Sequence, residues 1–319
     1  MDNNWNIIMN THCNDKQYER VGINIYFSRN DPKNYIVRDN IILLITGTLY
    51  NEKKLSTKEH LNPYECILDL YQKYGIMSTL PLLDGVFSFV LLDNTSMSEN
   101  LYIVRDPLGI CPLFENKLYH SYCCSKNVDS DWKDFTPGSF SHYQLSFSVN
   151  TRWMSVVSNK SYYTLPFYAS ISGGNPSCHS QYLKRAIEKR CRDFTEPVGI
   201  YLTNDEGSIP LLYLLCQLCI ERNLPTSLIE IFSEENVDFD VGRLGAKLTI
   251  IPNRYAISMV KILFVSLGFF NVDNRLDTVI QYRHYLNHIH LEWPVFMPDI
   301  EVQYPYLDLD YLNYNLSIP

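Results

Sequence analysis

Short β-branched and apolar runs, closed by turn residues, dominate the first half of the chain. Residues 21–28 and 40–46 read as strands, bounded by Asn-Asp-Pro and Thr-Gly punctuation. Asn62-Pro63 opens a helix, with Pro63 at an early position and Cys66, Leu70 and Tyr74 recurring on one face. Residues 85–92 and 101–104 read as paired buried strands joined by a polar loop, and 143–147 alternates as another strand. A mixed-sheet domain is expected over residues 1–157.

The texture then changes. Residues 158–177, with Pro166, Gly173, Gly174 and Pro176, read as a linker. Beyond it, 181–192 is a charged amphipathic helix and 198–202 a short apolar strand. A helix over 208–222 is apolar on most sides, and 227–232 is again strand-like. Strand, loop, helix and strand form a βαβ unit, which predicts a parallel α/β domain over 178–319.

Composition narrows the function classes. The 319 residues are 46% hydrophobic and 19% charged, the profile of a globular chain long enough for two cores. The net charge is −8, which argues against a phosphate-backbone binder and so against a nucleic-acid partner. No apolar run reaches the roughly 18 residues that span a bilayer, so no membrane partner is expected. Met1-Asp2-Asn3-Asn4-Trp5 has neither a basic nor an apolar leader region. The nine scattered cysteines then read as reduced thiols, and a cytoplasmic protein is expected. Richness in Asn, Ile, Lys and Tyr (24 Tyr) points to an AT-rich coding sequence, as in parasites or large DNA viruses, so a viral protein in a virion or other large assembly is one expectation.

Six segments, in order, resemble glutamine-dependent asparagine synthetases. The most specific is Arg105-Asp106-Pro107-Leu108-Gly109-Ile110-Cys111-Pro112-Leu113, similar to the family's "RDxxGxxPL" stretch. Leu83-Asp84-Gly85-Val86-Phe87-Ser88-Phe89 resembles "LxGxFAF", and Thr46-Gly47-Thr48-Leu49-Tyr50-Asn51 resembles "NGEIYN". Phe135-Thr136-Pro137-Gly138 resembles "FPPG", Ser161-Tyr162-Tyr163 the tyrosine pair entering the second domain, and Gln303-Tyr304-Pro305-Tyr306-Leu307-Asp308 the "RxPFLD" segment. The resemblance implies an N-terminal Ntn-hydrolase-like αββα sandwich and a truncated, Rossmann-like PP-loop domain. The family's active members move ammonia from glutamine to an aspartyl-adenylate.

Fold does not carry function, so each site is compared residue by residue. The family's nucleophile is a cysteine directly after the initiator methionine; that position holds Asp2, which cannot form a thioester. Residues 1–10 match the helix after the family's first strand, which implies that the nucleophile strand is missing. Cys13 is internal, without a free amine beside it, and His12-Cys13-Asn14-Asp15 keeps only an acid of the family's "RHRGPD". The glutamine pocket survives as Thr46, Gly47 and Thr48, with two threonines replacing an asparagine and a glutamate. The family's acid before the next helix becomes Pro63.

The family's "SGGxDS" phosphate loop corresponds to Thr203, Asn204, Asp205, Glu206, Gly207 and Ser208. Two new carboxylates would repel phosphate, and acids in a first helical turn explain Asp205 and Glu206 without a ligand. "SGEGSDE" has no counterpart, and Gly268 lies in an apolar stretch. No catalytic residue, cofactor or metal is therefore assigned.

Other constellations have plain explanations. Cys216-x-x-Cys219 lacks a second pair and reads as helix core; Cys123-Cys124 points to opposite faces of a strand. His284 and His288 share a helical face with His290 nearby, a metal-compatible spacing with no adjacent acid or cysteine cluster. Glu234, Glu235, Asp238 and Asp240 read as a solvated loop. Tyr304, Tyr306, Tyr311 and Tyr314 form either an interface patch or a packed helix face.

Two functions follow. The first is a pseudoenzyme, a structural or protein-interaction component that binds another protein or a second copy. The second is a divergent enzyme retaining ammonia-dependent amide formation. Loss of both sites beside retained core motifs favours the first.

Overall fold

The computed structural model describes residues 5–8, 16–20, 23–26, 35–56, 62–95, 99–116, 121–124, 131–147, 152–164, 176–191, 196–202, 207–234, 246–251, 257, 260–266 and 300–317. The chain divides into two compact units, 1–164 and 165–319. Among the described residues no helix is long and apolar enough to cross a membrane.

Unit one holds strands β1 (Trp5–Ile8), β2 (Lys16–Arg20), β3 (Ile23–Tyr26), β4 (Tyr35–Arg38), β5 (Ile41–Leu49), β6 (Gly85–Asp93), β7 (Glu99–Arg105), β8 (Phe114–Asn116), β9 (Ser121–Cys123), β10 (Lys133–Asp134), β11 (Ser139–Phe147) and β12 (Arg152–Ser161). Its helices are α1 (Glu52–Leu55), α2 (Glu65–Tyr74) and α3 (Ile76–Thr79). Two six-stranded sheets form, ordered β10-β8-β9-β1-β3-β2 and β12-β11-β7-β6-β5-β4. The second is antiparallel throughout, whereas β1 runs parallel to both β3 and β9.

The second sheet is the middle layer, and alternation along its strands shows why. Leu43, Ile45, Phe89, Tyr102, Val104 and Phe140 pack with Cys66, Ile67 and Leu70 of α2. Ile42, Leu44, Val90, Leu92, Ile103 and Tyr143 pack with Leu113, Tyr122, Cys124 and Phe135 of the first sheet's side. A strand buried on both faces needs an unbroken apolar run, which is what Ile41-Ile42-Leu43-Leu44-Ile45 provides.

Several sequence expectations are corrected. The match of residues 1–10 to a helix fails, because Trp5–Ile8 is a strand paired along both edges. The helix expected from Pro63 begins at Glu65, where the Asn62 side-chain oxygen accepts the Tyr64 N–H at 3.0 Å. Tyr74 is half-exposed rather than on the buried face with Cys66 and Leu70, since it is the helix's last residue before Gly75 turns the chain away at φ +73. The proposed linker at 158–177 is too long at both ends. Ladder pairing with β11 carries β12 through Ser161, and α4 (Pro176–Arg190) starts at Pro176.

Unit two is built on a five-stranded sheet, β15 (Lys247–Ile250), β14 (Ile229–Ser233), β13 (Val198–Tyr201), β16 (Ile262–Val265) and β17 (Glu301–Gln303) in that order, every pair parallel. Against it pack α4, α5 (Ser208–Glu221) and the segment leading to α6 (Leu309–Ser317). Cys216 and Cys219 lie in this apolar cluster, where burial pushes the Cys216 thiol up to about 11.

The tail is corrected as an interface candidate. Tyr304, Tyr306 and Tyr311 are 3%, 2% and 6% exposed, and Tyr314 stacks on Tyr182 at 4.4 Å. A segment of 3₁₀ and α turns following a sheet strand closes unit two on itself, so its aromatic surface is spent within the chain. Replacing Tyr311 with Ser should therefore lower the stability of unit two by about 3 kcal/mol, as expected for truncating a packed aromatic. Chemical denaturation of the variant checks this; an unchanged midpoint would return the tail to the surface.

Candidate functional site

Thr46, Gly47 and Thr48, which resemble the glutamine-pocket turn, lie within β5 as strand residues paired with Ser88, Phe87 and Val86 of β6. Gly47 has φ +98, and a Cβ there would stand 2.0 Å from the Val86 carbonyl oxygen of β6. Only glycine allows both the dihedral and this approach. Gly47→Ala is expected to destabilise unit one by about 2 kcal/mol or more, from left-handed strain plus overlap with backbone. A thermal melt of the variant would reveal it.

Two of the segment's carbonyls accept from side chains of unit one. The Tyr64 hydroxyl donates to Gly47 O at 2.6 Å, and the Cys111 thiol approaches Thr46 O at 3.7 Å. The flanking side chains, Thr46 and Thr48, offer hydroxyls but no charge. Cys111 is the described cysteine that reaches this segment, and its thiol is held in the protonated form. Burial, reinforced by the Asp106 charge, pushes its thiol up to about 12.

Next to this segment, through Cys111, lies a buried polar cluster. The Arg105 side chain is fully buried and donates to four carbonyls: Gly109 at 2.8 Å, Cys111 at 2.9 Å, Leu113 at 3.4 Å and Phe135 at 2.6 Å. Asp106 is equally buried, and its carboxylate accepts the N–H groups of Leu108, Ile110 and Cys111 at 3.0, 3.1 and 2.8 Å. Burial raises its pKa to about 6, opposed by the Arg105 charge and these N–H donors.

Gly109 turns the chain at φ +66, where a Cβ would strike the Pro137 ring at 2.4 Å. Gly138, at φ +61, donates its N–H to Asp106 O at 2.8 Å, and the Tyr162 hydroxyl donates to Arg105 O at 2.7 Å. Three segments distant in sequence, at 105–113, 135–138 and 161–163, thus form one knot. Its polar groups hydrogen-bond to one another. The sequence marked Arg105, Asp106 and Gly109 as retained but missed the roles of Tyr64, Cys111 and Tyr162. The available signal was a charged pair ending an apolar strand before Pro-Leu-Gly.

In unit two, residues 203–206 of the phosphate-loop counterpart lie outside the described residues, as do Asp2, Cys13, Glu235, Asp238, Asp240, Gly268, His284, His288 and His290. Gly207 and Ser208 are buried at the start of α5, and the Tyr306 hydroxyl donates to Gly207 O at 2.9 Å. The preceding strand, β13, stands where the strand order reverses: β14 and β15 lie to one side, β16 and β17 to the other. Glu234, at the end of β14, is exposed and accepts the Tyr201 hydroxyl at 2.7 Å. Behind α5, the Asp308 carboxylate meets Arg190 at 2.9 Å and Lys189 at 3.2 Å, and its other oxygen accepts the N–H groups of Asp310 and Tyr311 at the start of α6. Among the described residues no group of three His, Cys, Asp or Glu could hold a metal ion.

Residues 28–125 match the model of a glutamine amidotransferase domain. Asparagine synthetase (glutamine-hydrolyzing) of Zea mays is 33% identical over 112 residues, covering 32% of this chain and 18% of the maize protein. The Homo sapiens and Bos taurus enzymes of the same name are each 40% identical, over 80 and 78 residues, covering 23% of this chain and 14% of theirs. The matched part thus spans less than a fifth of these relatives' length. Over residues 28–125 the chain is therefore similar to the glutamine amidotransferase domain, and it shares sequence with the asparagine synthetases.

Proposed function

We propose that the chain is a non-catalytic relative of the glutamine-dependent asparagine synthetases, working as a structural or protein-binding component through contact with another protein or a second copy. In this reading unit one is an Ntn-type αββα sandwich and unit two a truncated PP-loop-type domain. Burial of Ser121 and Cys123, which alternate with the inward-facing Tyr122 and therefore sit on the outer face of the first sheet, supports a further covering layer.

One observation carries the functional reading. The β5 segment keeps Gly47, which strand packing demands, while its flanking positions carry threonines and the Gly47 and Thr46 carbonyls accept from Tyr64 and Cys111. What survives is what the fold needs; the groups that would clamp an amino acid are replaced. The purified chain is expected to release no glutamate from glutamine beyond a heat-denatured control, with a glutaminase as positive control. Sustained turnover would overturn the proposal.

The second reading, ammonia-dependent amide formation, draws on a different observation. The strand β13 sits at a strand-order reversal, where open parallel sheets bind ligands beyond the strand ends. It requires ATP to bind unit two, and a ligand that prefers the folded state raises its melting temperature. We expect no shift with millimolar ATP and magnesium. A shift abolished by substitutions at Asn204 and Asp205 would favour the enzyme.

A further inference from the structure

We draw no further inference here: the strongest candidate, the outer edge of β12 with Val156 and Val157 exposed, is broken by the β-bulge opposite His142 and Tyr143 and carries Lys160, and nothing in the structure shows what covers it.

Discussion

Arg105→Met is expected to be the most damaging single substitution in unit one, lowering its stability by about 3–5 kcal/mol. Methionine fills much of the volume but donates nothing. The carbonyls of Gly109, Cys111, Leu113 and Phe135 lose the guanidinium donor, and the buried Asp106 loses its adjacent positive charge. At roughly 2–4 °C per kcal/mol for a unit of this size, the melting temperature should fall by about 10 °C or more. Arg105→Lys should recover only part of this, because one ammonium cannot reach the fork of acceptors that a guanidinium spans.

The loss should also depend on pH, with a definite sign. Asp106 has a folded pKa raised to about 6, so its stabilising contribution is complete below its unfolded value near 3.8 and fades as pH rises through 6. Without Arg105 the folded pKa moves higher still, and the decline should continue past neutrality. Urea titrations of both proteins at pH 5 and pH 8 measure this. A variant equally stable at both would mean that Asp106 does not feel Arg105.

In unit two the corresponding weak point is Asp308. Asp308→Ala should cost about 3–5 kcal/mol, because the buried Arg190 loses the Asp308 carboxylate and α6 loses its capping oxygen. Burial alone would raise the Asp308 pKa, but the Arg190 and Lys189 charges outweigh it and hold the carboxyl below its ordinary value. For a depressed carboxyl the stabilisation is present above the unfolded pKa near 3.8 and disappears as pH falls through the lower folded value. Wild-type unit two should therefore lose stability on acidification below about pH 4, and the variant should show a flatter acid limb. Far-ultraviolet circular dichroism across pH 2–6 separates the two.

Middle-layer strands were legible because their physics is local. A sheet covered on both faces requires continuous apolar runs, and residues 41–45 and 86–92 announce themselves. Trp5–Ile8 was not legible in this way. Its strand state comes from β3 and β9, whose partners lie up to some hundred residues further on, and a four-residue segment gives no periodicity to count. The tyrosine tail failed for a related reason. An aromatic-rich segment looks the same whether it awaits a partner or is closing its own domain; only burial separates them.

The candidate site divides likewise. Gly47 was readable, because glycine reports backbone geometry directly. The hydroxyl of Tyr64 and the thiol of Cys111 meeting that strand segment were not, since their approach depends on where the start of α2 and the 105–113 loop come to rest.

The knot around Arg105 also sets the order in which the chain can become a protein. The segment matched as a glutamine amidotransferase domain ends at residue 125, yet Phe135, Gly138 and Tyr162 supply partners to Arg105 and Asp106. A fragment cut at residue 125 would hold the Arg105 guanidinium without the Phe135 carbonyl and the Asp134 carboxylate, and the Arg105 carbonyl without its tyrosine. During synthesis the same holds: unit one cannot complete its interior until residue 162 has left the ribosome. The shortest autonomous piece of this protein should therefore extend to about residue 164, some forty residues beyond its recognisable motif.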